Sequence, residues 1–246
     1  MTCLSVNLNK IALLRNSRGR DFPNVIDFAN KFIALGVHGI TIHPRQDERH
    51  ITNQDARDLG QLLPHNSRIE LNIEGYPSED FLKMVEEIKP AQCTLVPDAP
   101  DQLTSDHGWD LDKDAEFVTQ VCQRLNDAGI RSAIFLDPDV SMVEKAVKTG
   151  AARIELYTEE FAATHGTEQG KVVLERYRQA AARAQQLGLE VNAGHDLDLN
   201  NLPDFLSIPG ILEVSIGHVL TVECIEQGME KVTARYLEIC AANPSV

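Results

Sequence analysis

The feature that most narrows what this chain can fold into is an eightfold alternation of two periodicities. Short runs that alternate apolar and polar residues fall at Leu4–Leu8, Gly39–His43, Ile69–Glu74, Gln92–Pro97, Ser132–Asp137, Arg153–Thr158, Leu189–Gly194 and Glu213–Gly217. A period of two predicts strands. Longer amphipathic stretches separate them and predict helices, for example Asn24–Leu35, Ser78–Ile88, Asp112–Ala128, Val140–Lys148 and Lys171–Leu187. A final helix is predicted from about Val222 to Cys240. Gly36, Gly129, Gly150 and Gly188 stand where helices end, in positions that favour a left-handed residue. Strands separated by helices of this length form βαβ units and a parallel sheet. Eight such units predict closure into a single (β/α)8 barrel with small extra helices. The 246 residues fit one such domain, 1–246, for which roughly 250 residues is typical. A doubly wound open sheet is the alternative, but no GxGxxG follows the first strand. The stretches Asp98–Asp110 and Glu159–Gly170 read as long loops, placed to act as lids.

Composition excludes several classes. No run of about 18 apolar residues is present, so no spanning helix is expected. The chain enters its first strand without a basic and then apolar leader, so no secretory signal is expected. The five cysteines are scattered, without CxxC spacing, and read as reduced thiols of a cytoplasmic protein. A formal net charge of −14 argues against nucleic acid or an anionic membrane as a partner. An anionic substrate would need a local cationic cluster.

The strands themselves carry the functional signal. Glu70, Asn72 and Glu74 share one face of the third strand, against Leu71 and Ile73. Ser5, Asn7 and Asn9 share a face of the first. Thr41 and His43 share a face of the second, Glu155 and Tyr157 of the sixth, and Glu213, Ser215 and Gly217 of the eighth. The apolar face must meet the helices, so the polar face lines the barrel. Glu70, Glu190 and Glu213 lie near strand starts, where Arg68, Arg131 or Arg153 can neutralise them in a structural network. His43, Glu74 and Glu155 lie late in their strands, where barrel enzymes keep their chemistry. His50, His195 and His218 join His43 on that rim. Histidines facing carboxylates favour proton transfer over a structural role. The absence of an HExxH or a cysteine cluster leaves a metal site the weaker use of these side chains. Lys10 is the one lysine near the rim that a Schiff-base aldolase would use.

Cations gather at the same end. Lys10, Arg15, Arg18 and Arg20 follow the first strand, and Arg45, Arg49 and His50 follow the second. Solvated loop charge accounts for Arg20 and Arg49, whereas arginine elsewhere in the cluster suits phosphate. Small residues and helix starts after the last two strands, Gly194-His195 and Gly217-His218, suit a phosphate cradle. Two anionic subsites are expected, one near strands 7, 8 and 1, the other near strands 2 and 4.

These residues together resemble the pyridoxine 5′-phosphate synthase family. The likeness runs through Asn7, Ile11-Ala12, Leu14-Arg15-Asn16 and Arg18-Gly19, then Gly39-Ile40-Thr41-Ile42-His43-Pro44-Arg45, Asp47 and Arg49-His50-Ile51. It continues through Leu71-Asn72-Ile73-Glu74, Leu95-Val96-Pro97, Thr104, Ile154-Glu155, Val191-Asn192-Ala193-Gly194-His195 and Ile216-Gly217-His218. The resemblance implies condensation of 3-amino-2-oxopropyl phosphate with 1-deoxy-D-xylulose 5-phosphate, without metal or organic cofactor. It implies proton acceptors in His43 and Glu74, a proton donor in His195, and transition-state charge stabilisation by Glu155. It places Asn7, Arg18, Gly217 and His218 on the amino-ketone phosphate, and Arg45, His50 and Thr104 on the deoxyxylulose phosphate. It also implies a homo-oligomer, commonly an octamer. Three segments depart from the family pattern. Asn9-Lys10 stands where many members have an Asp-His that helps hold the deoxyxylulose phosphate. Asp196 stands where a phosphate-binding glycine is common, and Glu159-Glu160-Phe161 replaces Gly-x-Tyr. Outside this family, the alternatives are a barrel aldolase or isomerase acting on one sugar phosphate, and a non-catalytic phosphate-binding barrel.

Overall fold

A computed structural model describes residues 1–98, 102 and 104–243. Its sheet is a closed barrel of eight parallel strands in sequence order. They are β1 (Cys3–Asn7), β2 (Gly39–Ile42), β3 (Glu70–Gly75), β4 (Gln92–Leu95), β5 (Arg131–Leu136), β6 (Arg153–Tyr157), β7 (Glu190–Gly194) and β8 (Ile211–Ile216). Each falls within two residues of its predicted run. β2 stops one residue early because the His43 N–H donates to the Asn9 side chain, 3.0 Å away, instead of to the ladder. The barrel closes where β1 pairs with β8, in the register Leu4↔Val214 and Val6↔Ile216. Thr2 ties that seam further, its amide donating to Cys240 and its hydroxyl to Ile211.

The outward faces are apolar and buried: Ile40, Ile42, Leu71, Ile73, Ile154, Leu156, Val214 and Ile216 pack beneath the helices. The inward faces are polar, as the alternation predicts. Buried polar groups are tolerated when each finds a partner. Ser5 Oγ and Thr41 Oγ1 are 2.7 Å apart, and Thr94 donates to Asn72 at 3.0 Å. At the amino-terminal end Arg131 pairs with Glu70 at 2.7 Å and Arg153 with Glu190 at 2.6 Å. Arg153 also donates to Gln92, and Asn192 to Glu213. The expected structural network is therefore made by Arg131 and Arg153.

The four helix-ending glycines all have positive φ, from +75° to +95°. Two predicted elements differ. The final helix is two helices, His218–Gln227 and Met229–Ala242. Gly228, with φ +93°, breaks the ladder between them, while side-chain periodicity runs through the break unchanged. The stretch expected as a loop at Glu159–Gly170 holds the short helix Glu159–Thr164 and the start of the helix Glu168–Gln186. Thr167 caps the latter by accepting the Gly170 N–H at 3.0 Å. The other expected lid, Asp98–Asp110, lies partly outside the described residues. Its far end is anchored by Trp109, whose ring N–H donates to the Leu95 carbonyl. Among the described residues, no helix is long and apolar enough to cross a membrane.

Candidate active site

A cavity of about 470 Å³ opens at the carboxyl ends of the strands. Its walls carry every catalytic and substrate-binding residue expected from the sequence except Arg18: Asn7, Asn9 and Lys10 from β1 and the turn after it, His43, Arg45 and His50 beyond β2, and Glu74 from β3. Thr104, Glu155, His195, Asp196, Gly217 and His218 line it too. Arg18 is exposed in the turn after the helix Asn9–Asn16 and does not line the cavity.

The arginines divide by partner. Arg15, expected with the phosphate-binding cations, is committed elsewhere. Its guanidinium grips Asp55 with bonds of 2.5 and 2.8 Å and donates to the His50 carbonyl. Arg49 is more than a solvated loop charge. It lines the cavity, pairs with Asp47 at 2.8 Å and donates to the Gln102 carbonyl. Arg45 lines it too, and donates to Asp98 at 2.6 Å.

The residues expected to transfer protons converge on the cavity. His43 Nδ1 is 3.9 Å from Glu74 Oε2, to which Asn7 Nδ2 donates at 3.4 Å. Burial, together with the charges of Arg45, His50 and Arg49, holds the His43 imidazole well below its ordinary proton affinity. Burial and the nearby Glu155, Asp98 and Glu213 push Glu74 well above the usual carboxylate range, against the pull of Arg45. Burial and Glu213 push Glu155 up to about 8. One Glu155 oxygen, Oε2, is buried without a hydrogen-bond partner, and the other sits over Gly194, where a Cβ would come within 2.5 Å. His50 is held down to about 4, first by burial and then by Arg45, Lys10 and Arg49. Its Nδ1 accepts the Ile51 N–H, so the neutral ring carries its proton on Nε2.

His195 is aimed by a backbone that few residues adopt. His195 has φ +93° and Asp196 φ +56°. Such conformations cost about 1–3 kcal/mol and persist only where surroundings impose them. Here the Thr158 hydroxyl bonds the Gly194 and His195 carbonyls. The His195 ring meets the Tyr157 edge 5.0 Å away and lies 3.2 Å from the Thr104 hydroxyl. Asp196, standing where a phosphate-binding glycine is common, bonds His195 Nδ1 at 3.1 Å. That bond is the first reason its carboxyl is held below the ordinary range.

The other end of the cavity attracts anions through helix starts. The helices Asn9–Asn16 and His218–Gln227 both begin on its wall; Asn7 Oδ1 accepts the Asn9 N–H at 2.9 Å, while the start at His218 has no side-chain cap. Uncapped N–H groups and the positive end of the helix dipole favour an anion. Gly217 allows the approach, since a Cβ there would meet Asn7 Cβ at 3.0 Å. Ser105 and Phe135 also line the cavity, Asp98 meets it through Arg45, and none of the three was singled out in the sequence. Asp98 follows the end of β4, and a charged residue just past a barrel strand was the available signal. Among the described residues, no group of three or more His, Cys, Asp or Glu side chains is placed to hold a metal ion.

Fold and cavity together define a (β/α)8-barrel enzyme, with His and Glu side chains gathered in a cavity at the carboxyl ends of the strands. Comparison with known proteins narrows the class. A family model described as pyridoxal phosphate biosynthesis protein PdxJ matches residues 4–242, and the chain belongs to this family. It is 48% identical over 237 residues to the pyridoxine 5′-phosphate synthase of Bacteroides fragilis (strain YCH46), covering 96% of this chain and 98% of that protein. It is 49% identical over 241 residues to the synthase of that name from Flavobacterium johnsoniae, covering 97% and 99%. Among solved structures, the phosphoribosyl anthranilate isomerase of Thermus thermophilus aligns with a TM-score of 0.60 at 14% identity, covering 97% of this chain and 100% of that one. A mutant tryptophan synthase α-subunit of Pyrococcus furiosus aligns with a TM-score of 0.64 at 14% identity, covering 98% of each. These two likenesses bear on the fold alone.

Proposed function

We propose that this chain is a pyridoxine 5′-phosphate synthase. It condenses 3-amino-2-oxopropyl phosphate with 1-deoxy-D-xylulose 5-phosphate and releases phosphate and water. The observation that carries the reading is the convergence of His43, Glu74, Glu155 and His195 on one cavity whose two ends both attract anions. Two phosphorylated substrates need two such ends. The helix start at His218, with Asn7 and Gly217, takes the amino-ketone phosphate. Arg45, His50 and Thr104 take the deoxyxylulose phosphate, with Asn9 and Lys10 beside them. Asp196, bound to His195, orients that ring. Arg18, exposed in its turn, reaches the amino-ketone phosphate only if the turn moves.

A ring closure with several dehydrations requires groups of different proton affinity. His43, kept neutral near neutral pH, has a free lone pair to accept a proton. Glu74, raised in proton affinity, is a strong base once ionised. His195, at the mouth, donates to a leaving oxygen. Glu155 enters with its proton and, by releasing it, becomes the counter-charge for a cationic intermediate. No step requires a metal or an organic cofactor.

The chain works as one catalytic barrel domain in the cytoplasm and assembles as a homo-oligomer, an octamer. The test is to supply both substrates to the folded protein and look for pyridoxine 5′-phosphate. No product, under conditions where an established member of the family turns over, overturns the reading. Light scattering that returns a monomer at micromolar concentration overturns the assembly.

A further inference from the structure

Asp98 is a buried charged group beside the cavity, bonded to Arg45 of its wall, that the acid–base set leaves out. It stands just past β4, and its side chain is 2% exposed. Oδ2 accepts from Arg45 Nη2 at 2.6 Å and from Ser105 Oγ at 2.7 Å. The same oxygen is 4.0 Å from His43 Nε2. The other oxygen, Oδ1, is buried with no hydrogen-bond partner among the described residues.

Asp98 also faces His43. Its ring lies between two carboxyl groups, with Nδ1 3.9 Å from Glu74 and Nε2 4.0 Å from Asp98. A neutral imidazole carries one N–H, and its neighbours decide which nitrogen holds it. Asp98, clamped by a guanidinium, offers acceptors only. Glu74, with its proton affinity raised, can present a proton of its own. Both neighbours thus favour the same tautomer, with Nε2–H toward Asp98 and the Nδ1 lone pair toward Glu74 and the cavity. The gap to Asp98 is about 1 Å longer than a hydrogen bond. A substrate phosphate that takes Arg45 would free Asp98 to close it.

We infer that Asp98 is a positioning residue, which fixes His43 as the Nε2–H tautomer and so makes Nδ1 the basic nitrogen of the site. This rests on the proposed synthase reading for its role in turnover. When Nδ1 takes a proton from substrate, the ring becomes imidazolium and its Nε2–H stays on Asp98. The same proton later leaves from Nδ1, and Asp98 exchanges none. Arg45 and Arg49 oppose positive charge on the ring, and Arg45 is itself paired with Asp98 at 2.6 Å.

The test uses the full chain labelled with 15N-histidine, without substrate. Ring-nitrogen shifts report which nitrogen carries the proton, and His43→Gln assigns the signal among the eight histidines. The parent is expected to show His43 protonated at Nε2 and bare at Nδ1. Asp98→Asn is expected to mix or invert the tautomers, and Asp98→Glu to restore them. In turnover, Asp98→Asn is expected to lower kcat about 10-fold or more while KM for deoxyxylulose phosphate changes less than about 3-fold, as loss of an orienting partner weakens a general base. An unchanged tautomer in Asp98→Asn overturns the inference. So does a raised KM with kcat intact, which would assign Asp98 to Arg45 alone. If the parent makes no pyridoxine 5′-phosphate, the synthase reading fails, and the nitrogen shifts still decide where the His43 proton sits.

Discussion

Replacing Glu155 with Gln removes a proton equilibrium that the barrel interior makes unfavourable. Burial beside Glu213 pushes this carboxyl from 4.5 up to about 8. The sign follows from linkage. An acid whose folded proton affinity exceeds its unfolded one supports the fold most fully below pH 4.5, and that support is lost as pH rises toward 8. At about 1.4 kcal/mol per pH unit, the loss is under about 1 kcal/mol at pH 5 and about 3 kcal/mol at pH 7. Gln cannot ionise and so escapes the loss. Its amide adds a donor where Glu155 Oε2 has no partner, costing about 1 kcal/mol. The net expectation is near zero at pH 5 and a gain of about 2 kcal/mol at pH 7. For a chain of this size that gain raises Tm by roughly 4–8 °C. Thermal unfolding from pH 5 to pH 8, at matched protomer concentration, reads it directly. Turnover should fall as stability rises, since the counter-charge is gone. Parallel Tm profiles for parent and variant, or a variant less stable at pH 8, would refute the reasoning.

Other consequences are as specific. Glu74→Gln should keep its far-ultraviolet circular dichroism and lose turnover by at least about 100-fold, as loss of a general base does; near-normal rates would remove Glu74 from the chemistry. Arg15→Ala leaves Asp55 buried without its cation and should cost about 3 kcal/mol in denaturant unfolding at neutral pH. Burial opposes ionisation of Asp55, but Arg15 and Thr52 outweigh it and hold the carboxyl below 3.8. The gap between parent and Arg15→Ala should therefore be full above pH 3.8 and narrow as pH falls through the lower folded value. Gly194→Ala places a Cβ 2.5 Å from Glu155 Oε1 and 3.1 Å from the Ser215 carbonyl. It should cost about 1–3 kcal/mol through overpacking, and a variant with unchanged Tm would contradict the tight approach.

Much of this architecture was legible in the sequence, because alternation reports directly which face of a strand is buried. The inward placement of Glu74, Glu155 and His43 follows from counting residues. What alternation cannot report is partnership across the fold. Arg15 and Arg45 look alike in sequence, yet only Arg45 lines the cavity, and they meet different carboxylates, Asp55 and Asp98. Asp98 read as one residue of a polar loop, because Ser105, Arg45 and His43 reach it only after the barrel closes. Backbone breaks were equally silent. The periodicity past Val222 continues through Gly228, and only its φ of +93° divides the helix. Side-chain pattern specifies faces, whereas charge pairs and chain reversals depend on distances that the pattern does not encode.

The seam between β1 and β8 has a consequence for how the site comes into being. One wall of the amino-ketone phosphate end is built by Asn7, from β1, and the other by Gly217 and His218, just past β8. A chain whose β8 has not docked keeps Arg45 and His50 for the other end but has only half of this cradle. Affinity for the amino-ketone phosphate is thus a reporter of completed closure. Anions that span the seam bind only closed barrels, so they should draw the final docking of β8 forward by mass action. The substrate would in that sense help finish the enzyme that consumes it.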